Sequence, residues 1–314
     1  MTSDRPPSSP LRSEQGGTPS EGGAGRFAPS PSGDLHVGNL RTALLAWLWA
    51  RSTGRRFALR IDDLDRVRPG AESRQIADLQ TIGLDWDGPI VRQSERMDEY
   101  RAAIGRLRAA GLTYPCFCTR REIQDAPSAP HAPPGAYPGT CRDLSTAERQ
   151  ARAADRPPAL RLRSDVSEWS IVDERHGAVA GTVDDLVLLR NDSVPAYNLT
   201  VVVDDEAQGI DQVVRGDDLL SSAPRQAYLA ALLGFDLPTY IHVPLALNTY
   251  GARLAKRDGA VTRTQLEARG VGVVGLIADS LGWTGSNPDE LLLHFDPASV
   301  PREPWVFEPP APIT

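Results

Sequence analysis

The sequence predicts an α/β fold, a Rossmann-like sheet split by an inserted segment. Two observations carry that expectation. Short apolar strand-like runs alternate with helical periodicity on both sides of one stretch, the pattern that builds a mostly parallel sheet. That stretch, 112–195, differs in character: it holds all three cysteines and the proline-rich run APSAPHAPPGAYPG. The 314 residues suffice for one large domain with an insertion.

The elements follow in order. Residues 1–24 are rich in Pro, Gly and Ser and read as a disordered tail. They lack the apolar core of a secretory leader. The first half of the split domain spans 25–111 and opens on RFAPSPSGDLHVGNLR at 26–41. Its prolines and small residues make a tight, rigid turn where backbone can approach a ligand. Asn39 is the expected N-cap of the apolar helix that follows. A helix N-terminus favours phosphate, and His36 stands just ahead of it, able to donate to a phosphate oxygen. The segment reads as a nucleotide site; its alternative is a structural turn with a surface histidine. RFALRI at 56–61 reads as a strand. Ile76, Leu79 and Ile82 give near-helical spacing over 71–83. Met97, Tyr100, Ile104 and Leu107 do so over 95–110, stopped by Gly111. The second half spans 196–285. There Leu199-Thr200-Val201-Val202-Val203 and Gln212-Val213-Val214-Arg215 read as buried strands, with a helix near 222–233. Residues 286–314 read as a C-terminal tail.

Composition narrows the class. Hydrophobic content of 40% and charged content of 24% are ordinary globular values. No apolar run is long enough to cross a bilayer, so no membrane association is expected. A net charge of −7 argues against sequence-blind nucleic-acid binding, although a local arginine stripe can serve RNA under an acidic total. Three clustered cysteines do not make a disulfide framework and fit a reducing, cytoplasmic compartment.

Of the 34 Lys and Arg residues, Lys256 is the sole lysine. It lies in Arg253-Leu254-Ala255-Lys256-Arg257, between Gly251 and Gly259, on an expected surface loop. Lysine is a compact ammonium and arginine a planar fork. In a chain that otherwise uses arginine, one lysine in a basic loop points to a point-charge role; the alternative is chance.

Taken together, SGDLHVGN and the distant RLAKR resemble the His-Ile-Gly-His and Lys-Met-Ser-Lys-Ser signatures of class I aminoacyl-tRNA synthetases. RFAPSPSG, RIDDLD at 60–65 and VVRGDDLL at 213–220 are similar to the glutamyl-specific branch, and the resemblance covers roughly residues 25–285. After Arg257 the chain continues only to 314, short of a typical second domain of roughly 100–150 residues. A shortened form with a cysteine cluster resembles the glutamyl-queuosine tRNA(Asp) synthetase family.

The resemblance implies activation of L-glutamate by ATP to glutamyl-adenylate without tRNA. Transfer to queuosine in the anticodon loop of tRNA(Asp) would follow. It implies a glutamate site from Arg26, Phe27, Ala28, Pro29, Ser30, Asp62, Tyr197 and Arg215. It implies an ATP site from His36, Gly38, Asn39 and Lys256, with His36 and Lys256 as the catalytic pair and Mg²⁺ accompanying the nucleotide. Three positions depart from the family pattern. Asp62 stands where Glu is usual, one methylene shorter; Asn39 replaces a histidine; Ala255 replaces a serine.

Cys116-Phe117-Cys118 and Tyr137-x-x-x-Cys141 offer three thiolates and a phenol. Zinc takes four tetrahedral ligands and suits thiolate, so the fourth is Tyr137, His131 or water. Imidazole is the commoner zinc ligand and favours His131. The Cys-x-Cys…Tyr-x-x-x-Cys pattern of the zinc-bearing glutamyl-type members favours Tyr137. One structural Zn²⁺ is expected, cross-linking a segment too rich in proline to fold alone. A monomer is expected. Two alternative functions stand beside this reading. One is a truncated glutamyl-tRNA synthetase that charges a tRNA 3′ end. The other is a non-catalytic glutamate- or tRNA-binding module, against which Lys256 speaks.

Overall fold

The computed structural model describes residues 22–124, 137–254, 258 and 261–309. Residues 1–21, His131 and Lys256 lie outside the described residues. In chain order the elements are β1 (Ala24–Phe27), α1 (Val37–Ser52), β2 (Arg56–Ile61), α2 (Ala71–Thr81), β3 (Val91–Arg92), α3 (Met97–Ala109), β4 (Thr113–Cys116), α4 (Arg120–Gln124), α5 (Thr146–Asp155), β5 (Ala159–Leu162), β6 (Glu168–Asp173), β7 (Gly177–Thr182), β8 (Val187–Leu189), α6 (Tyr197–Ala207), β9 (Ile210–Gly216), α7 (Ala223–Leu233), β10 (Thr239–Val243), β11 (Ala246–Leu247), α8 (Arg263–Glu267), α9 (Val273–Leu281), α10 (Pro288–Leu293) and β12 (Trp305–Val306).

The main sheet runs β3-β2-β1-β9-β10-β6-β7. All its pairs are parallel except the β6–β7 hairpin. Its central strands are buried along nearly their whole length, as parallel strands covered on both faces must be, and carry a few buried polar residues among the apolar ones. From β1 the chain turns outward to β2; from β9 it turns the other way to β10. The crevice between β1 and β9 is therefore the switch point where α/β sheets open a ligand site. No described helix is long and apolar enough to cross a membrane.

Four readings of the elements and their bounds differ from the structure. Residues 199–203 lie in the helix α6, not a strand. Leu199, Val202 and Val203 pack with Tyr100 and Leu229 in one core cluster, and that tertiary burial overrides the weak preference of β-branched residues for strands. A short run apolar on every side has no period to separate helix from strand. The segment 112–195 is shared between two sheets: β4, β5 and β8 make a small antiparallel sheet, while β6 and β7 extend the main one. Ala24, assigned to the tail, begins β1. Residues 286–309 are packed. Leu291, Val300 and Phe307 are buried, Phe295 packs edge-to-face on Trp49 at 5.1 Å, and β12 pairs with β11. The reason lies in α1, which is buried on nearly every side and needs a cover opposite the sheet. Helices α9 and α10 and Phe307 belong to the same core cluster as α1 and provide it.

Candidate active site

The turn 28–33 leaves β1 at the switch point and is held from outside. Gln75 donates to the carbonyls of Ser30 (3.1 Å) and Gly33 (2.6 Å), and the Asp62 amide donates to Pro29 O (3.0 Å). At the start of α1 the N-cap is His36, not Asn39. Asn39 occupies the third helical position and closes a reciprocal box. Its amide donates to His36 Nδ1 and its Oδ1 accepts the His36 amide, both at 3.2 Å. Accepting at Nδ1 places the proton of a neutral imidazole on Nε2, so His36 is preset as an Nε2–H donor. Gly38 has a packing reason as well: a Cβ there would sit 2.8 Å from the Ala246 side chain. The Val37 amide donates to Val261 O (2.7 Å), and Leu254 and Val261 are both buried. The two flanks of the Lys256 loop are thus anchored in the core that surrounds α1.

The other side of the crevice is ionic and buried. Arg26, at the end of β1, pairs with Asp205 (3.2 Å) and donates to Val214 O (3.4 Å). Arg60, on β2, donates to Asp205 at 2.6 Å and to Asp62 at 2.9 Å. Burial alone would raise the Asp205 carboxyl, but Arg26 and Arg60 outweigh it and hold it below the usual carboxylate range. At Asp62 burial wins over the pull of Arg60, and its pKa is pushed up to about 6. Asp204 anchors the back of this network. It accepts from Arg96 (2.7 Å), Gln93 (2.9 Å) and the Tyr100 hydroxyl (2.9 Å). Arg215, on β9, is different in kind: among the described residues it forms no ion pair. It donates to His242 Nε2 (2.9 Å), Gln226 Oε1 (2.7 Å) and Leu219 O (3.5 Å), all neutral acceptors. Burial lowers its pKa without neutralising it. Tyr197 opens α6 and is half-exposed.

One cleft of about 1360 Å³ joins the two sides. Arg26, Phe27, Ala28, Pro29, Ser30, Asp62, Tyr197 and Arg215 line it, and so do His36, Gly38 and Asn39. The chemistry available is a buried guanidinium without a counter-ion, a carboxylate for a cation, and a helix N-terminus with an imidazole donor for phosphate. Arg60, Asp204, Asp205, Gln226, His242 and Asp173 were not read from the sequence. Asp204 and Asp205 directly follow the run 199–203 read as a strand, on the same helix α6, and His242 is a lone histidine in an apolar segment.

The cysteines converge in the small lobe. The sulfurs of Cys116, Cys118 and Cys141 lie within 4.8 Å of one another, with 3.5 Å between Cys118 and Cys141. Tyr137 Oη lies 3.3 Å from Cys116 Sγ and 3.8 Å from Cys118 Sγ. Ligands of one tetrahedral zinc stand roughly 3.5 Å apart, so this donor set fits such an ion. Tyr137 also accepts the Cys141 amide at 2.8 Å, and the Arg161 guanidinium stacks 3.7 Å over its ring. Cys116 and Cys118 also line the cleft.

The sequence matches the family described as tRNA synthetases class I (E and Q), catalytic domain, over residues 24–294. A protein named glutamyl-Q tRNA(Asp) synthetase from Nocardia farcinica is 66% identical over 293 residues, 92% of this chain and 94% of that protein. Another of the same name, from Cutibacterium acnes, is 54% identical and covers 86% of this chain and 79% of its own. Among solved structures, a glutamate tRNA ligase from Elizabethkingia meningosepticum, in complex with its amino acid, superposes with a TM-score of 0.75 at 27% identity. That match covers 91% of this chain and 67% of the ligase.

Proposed function

The chain belongs to the class I glutamyl- and glutaminyl-type tRNA synthetases and, within them, to the glutamyl-Q tRNA(Asp) synthetases. From that premise we propose that it activates L-glutamate with ATP in the absence of tRNA and transfers it to queuosine in the anticodon loop of tRNA(Asp). The observation that carries the reading is Arg215, a buried arginine that forms no ion pair, opening into the same cleft as the N-terminus of α1. One carboxylate of glutamate pairs with Arg215. The ammonium meets Asp62, and Arg26, Tyr197 and the turn 27–30 close the pocket.

The other carboxylate attacks the α-phosphorus of ATP. The bond to the bridging oxygen breaks, pyrophosphate leaves, and a glutamyl-adenylate forms. A queuosine hydroxyl then attacks its acyl carbon; an ester forms and AMP leaves. Transfers of this kind depend on positioning and on neutralising developing charge. His36 Nε2–H and the first turn of α1, with Gly38 and Asn39, hold phosphate oxygens. Lys256, between Gly251 and Gly259 in the sequence, neutralises the departing pyrophosphate. Mg²⁺ supplies further charge neutralisation on the phosphates when ATP is bound. A single zinc held by Cys116, Cys118, Tyr137 and Cys141 has a structural role in the small lobe. The enzyme is read as a cytoplasmic monomer, in keeping with its three free cysteines.

The test is transfer of labelled glutamate to tRNA(Asp) prepared with and without queuosine, with the site of attachment mapped by nuclease digestion. Label confined to the queuosine-bearing anticodon loop supports the reading. Label on the 3′ end would make the chain a truncated glutamyl-tRNA synthetase.

A further inference from the structure

We propose that Asp173 and His242 are positioning residues for Arg215: they fix its guanidinium, with its charge unspent, at the angle that receives a carboxylate, and so set the preference for glutamate over glutamine. The proposal rests on the glutamate reading above.

The three residues lie on neighbouring strands, β6, β10 and β9. His242 and Arg215 are register partners. Since Arg215 Nε–H donates to His242 Nε2 at 2.9 Å, that nitrogen carries a lone pair, and the ring proton is on Nδ1. Nδ1 faces Asp173 Oδ2 at 2.6 Å. Asp173 is itself immobilised. Oδ2 also accepts the His242 amide (3.1 Å), and Oδ1 accepts the amides of Arg175 (2.9 Å) and His176 (3.0 Å). A carboxylate satisfied by backbone donors selects one imidazole tautomer, and the imidazole presents one lone pair to the arginine. A protonated His242 would instead turn an N–H and a second positive charge toward Arg215.

The second acceptor is fixed in the same way. Gln226 Nε2 donates to Asn198 Oδ1 at 3.1 Å, so its Oε1 faces Arg215. A guanidinium has five N–H groups. One on each nitrogen goes to a protein acceptor, which leaves one on Nη1 and one on Nη2. That pair matches the two oxygens of a carboxylate. A carboxamide offers one oxygen and sets its own N–H₂ against the second donor, which a buried site does not tolerate. The contrast with Arg26 and Arg60 is direct: both are ion-paired with Asp205, whereas the supports of Arg215 are neutral. Neutral, oriented acceptors aim the arginine without consuming its charge.

The test uses the full chain with His242→Leu, His242→Gln and Asp173→Asn. Glutamate-dependent ATP–pyrophosphate exchange gives separate KM values for glutamate and ATP, the rate with glutamine, and kcat; thermal melting is recorded for each variant. For His242→Leu the expected result is a glutamate KM raised about 10–100-fold with the ATP KM nearly unchanged, and a smaller glutamate-over-glutamine ratio. The glutamine amide of His242→Gln can accept from Arg215 and donate to Asp173, and it should recover most of the loss. Asp173→Asn should fall between. Equal rises in both KM values, or His242→Gln as impaired as His242→Leu with discrimination unchanged, would overturn the proposal and leave a purely structural role. Should His242→Leu fail to fold, His242→Gln and Asp173→Asn decide by the same KM split. An active wild type with a flat series defeats the positioning role alone. A wild type with no glutamate-dependent exchange defeats the functional reading, and this proposal with it.

Discussion

The carboxylate pocket and the cysteine lobe both contribute to one cleft but are held together by different means. In the pocket every buried charge has protein partners: Asp205 has Arg26 and Arg60, Asp204 has Arg96, Gln93 and Tyr100, and Arg215 has three neutral acceptors. These groups ride on strands and helices of the large core, so the geometry is complete before substrate arrives. The cysteine lobe has its own small cluster, Tyr114, Cys116, Phe117, Tyr137 and Cys141, and most of those residues are the donors themselves. A core so small cannot offset the chain entropy of its loops. The pocket is preorganised by the polypeptide; the proposed zinc would supply the cross-link of the lobe.

Four experiments break or sharpen that contrast. The largest effect is expected at Lys256, proposed to act on the leaving group. Lys256→Ala should lower the exchange rate about 10³-fold while calorimetry shows glutamate binding unchanged. A parallel loss of glutamate affinity would tie the lysine loop to the pocket.

Breaking the pocket from within should cost nearly as much. Asp205→Asn leaves Arg26 and Arg60 in excess and should lower the unfolding free energy by about 3–5 kcal/mol in a denaturant titration. A loss under about 1 kcal/mol would mean the network is not the pocket's scaffold.

Metal removal should act locally. Metal analysis of the wild type should find about one zinc per chain, and Cys118→Ser should lose it. The small lobe should then become open to proteolysis between β4 and α5, while the main sheet keeps its melting transition. One joint transition for both regions would erase the distinction.

The smallest effect concerns pH. Burial raises the Asp62 pKa to about 6 in the empty site, whereas a bound ammonium requires the ionised form. Acid therefore competes with glutamate. Affinity should be level above about pH 7 and fall by up to about tenfold per unit below pH 6. Asp62→Asn should bind more weakly and lose that slope; an unchanged slope would assign the titration to another group.

The motifs made much of this legible. RFALRI and QVVR lie in strands of the main sheet, and the Pro-Ser-Gly turn, His36 and Arg215 line the cleft. Local chemistry was misassigned where two readings share one composition. Asn39 and His36 are both plausible caps, and only the backbone dihedrals show that His36 occupies the position. The run 199–203 is apolar in either secondary structure, and reading it as a strand hid Asp204 and Asp205 from the arginines they serve. Pairs such as Arg26–Asp205 and Asp173–His242 join residues far apart in the chain, and a single sequence carries no signal of such contacts. The segment 286–309 reads as a tail because its apolar residues are few among prolines and polar residues, yet Leu291, Phe295, Val300 and Phe307 join the core around α1.

The central claim is that this cleft activates glutamate by itself. The most direct measurement is glutamate-dependent exchange of labelled pyrophosphate into ATP with no RNA present. Exchange is expected with glutamate, little with glutamine, and no gain on adding tRNA. Exchange that appears only when tRNA is added, or none with glutamate at all, would contradict it.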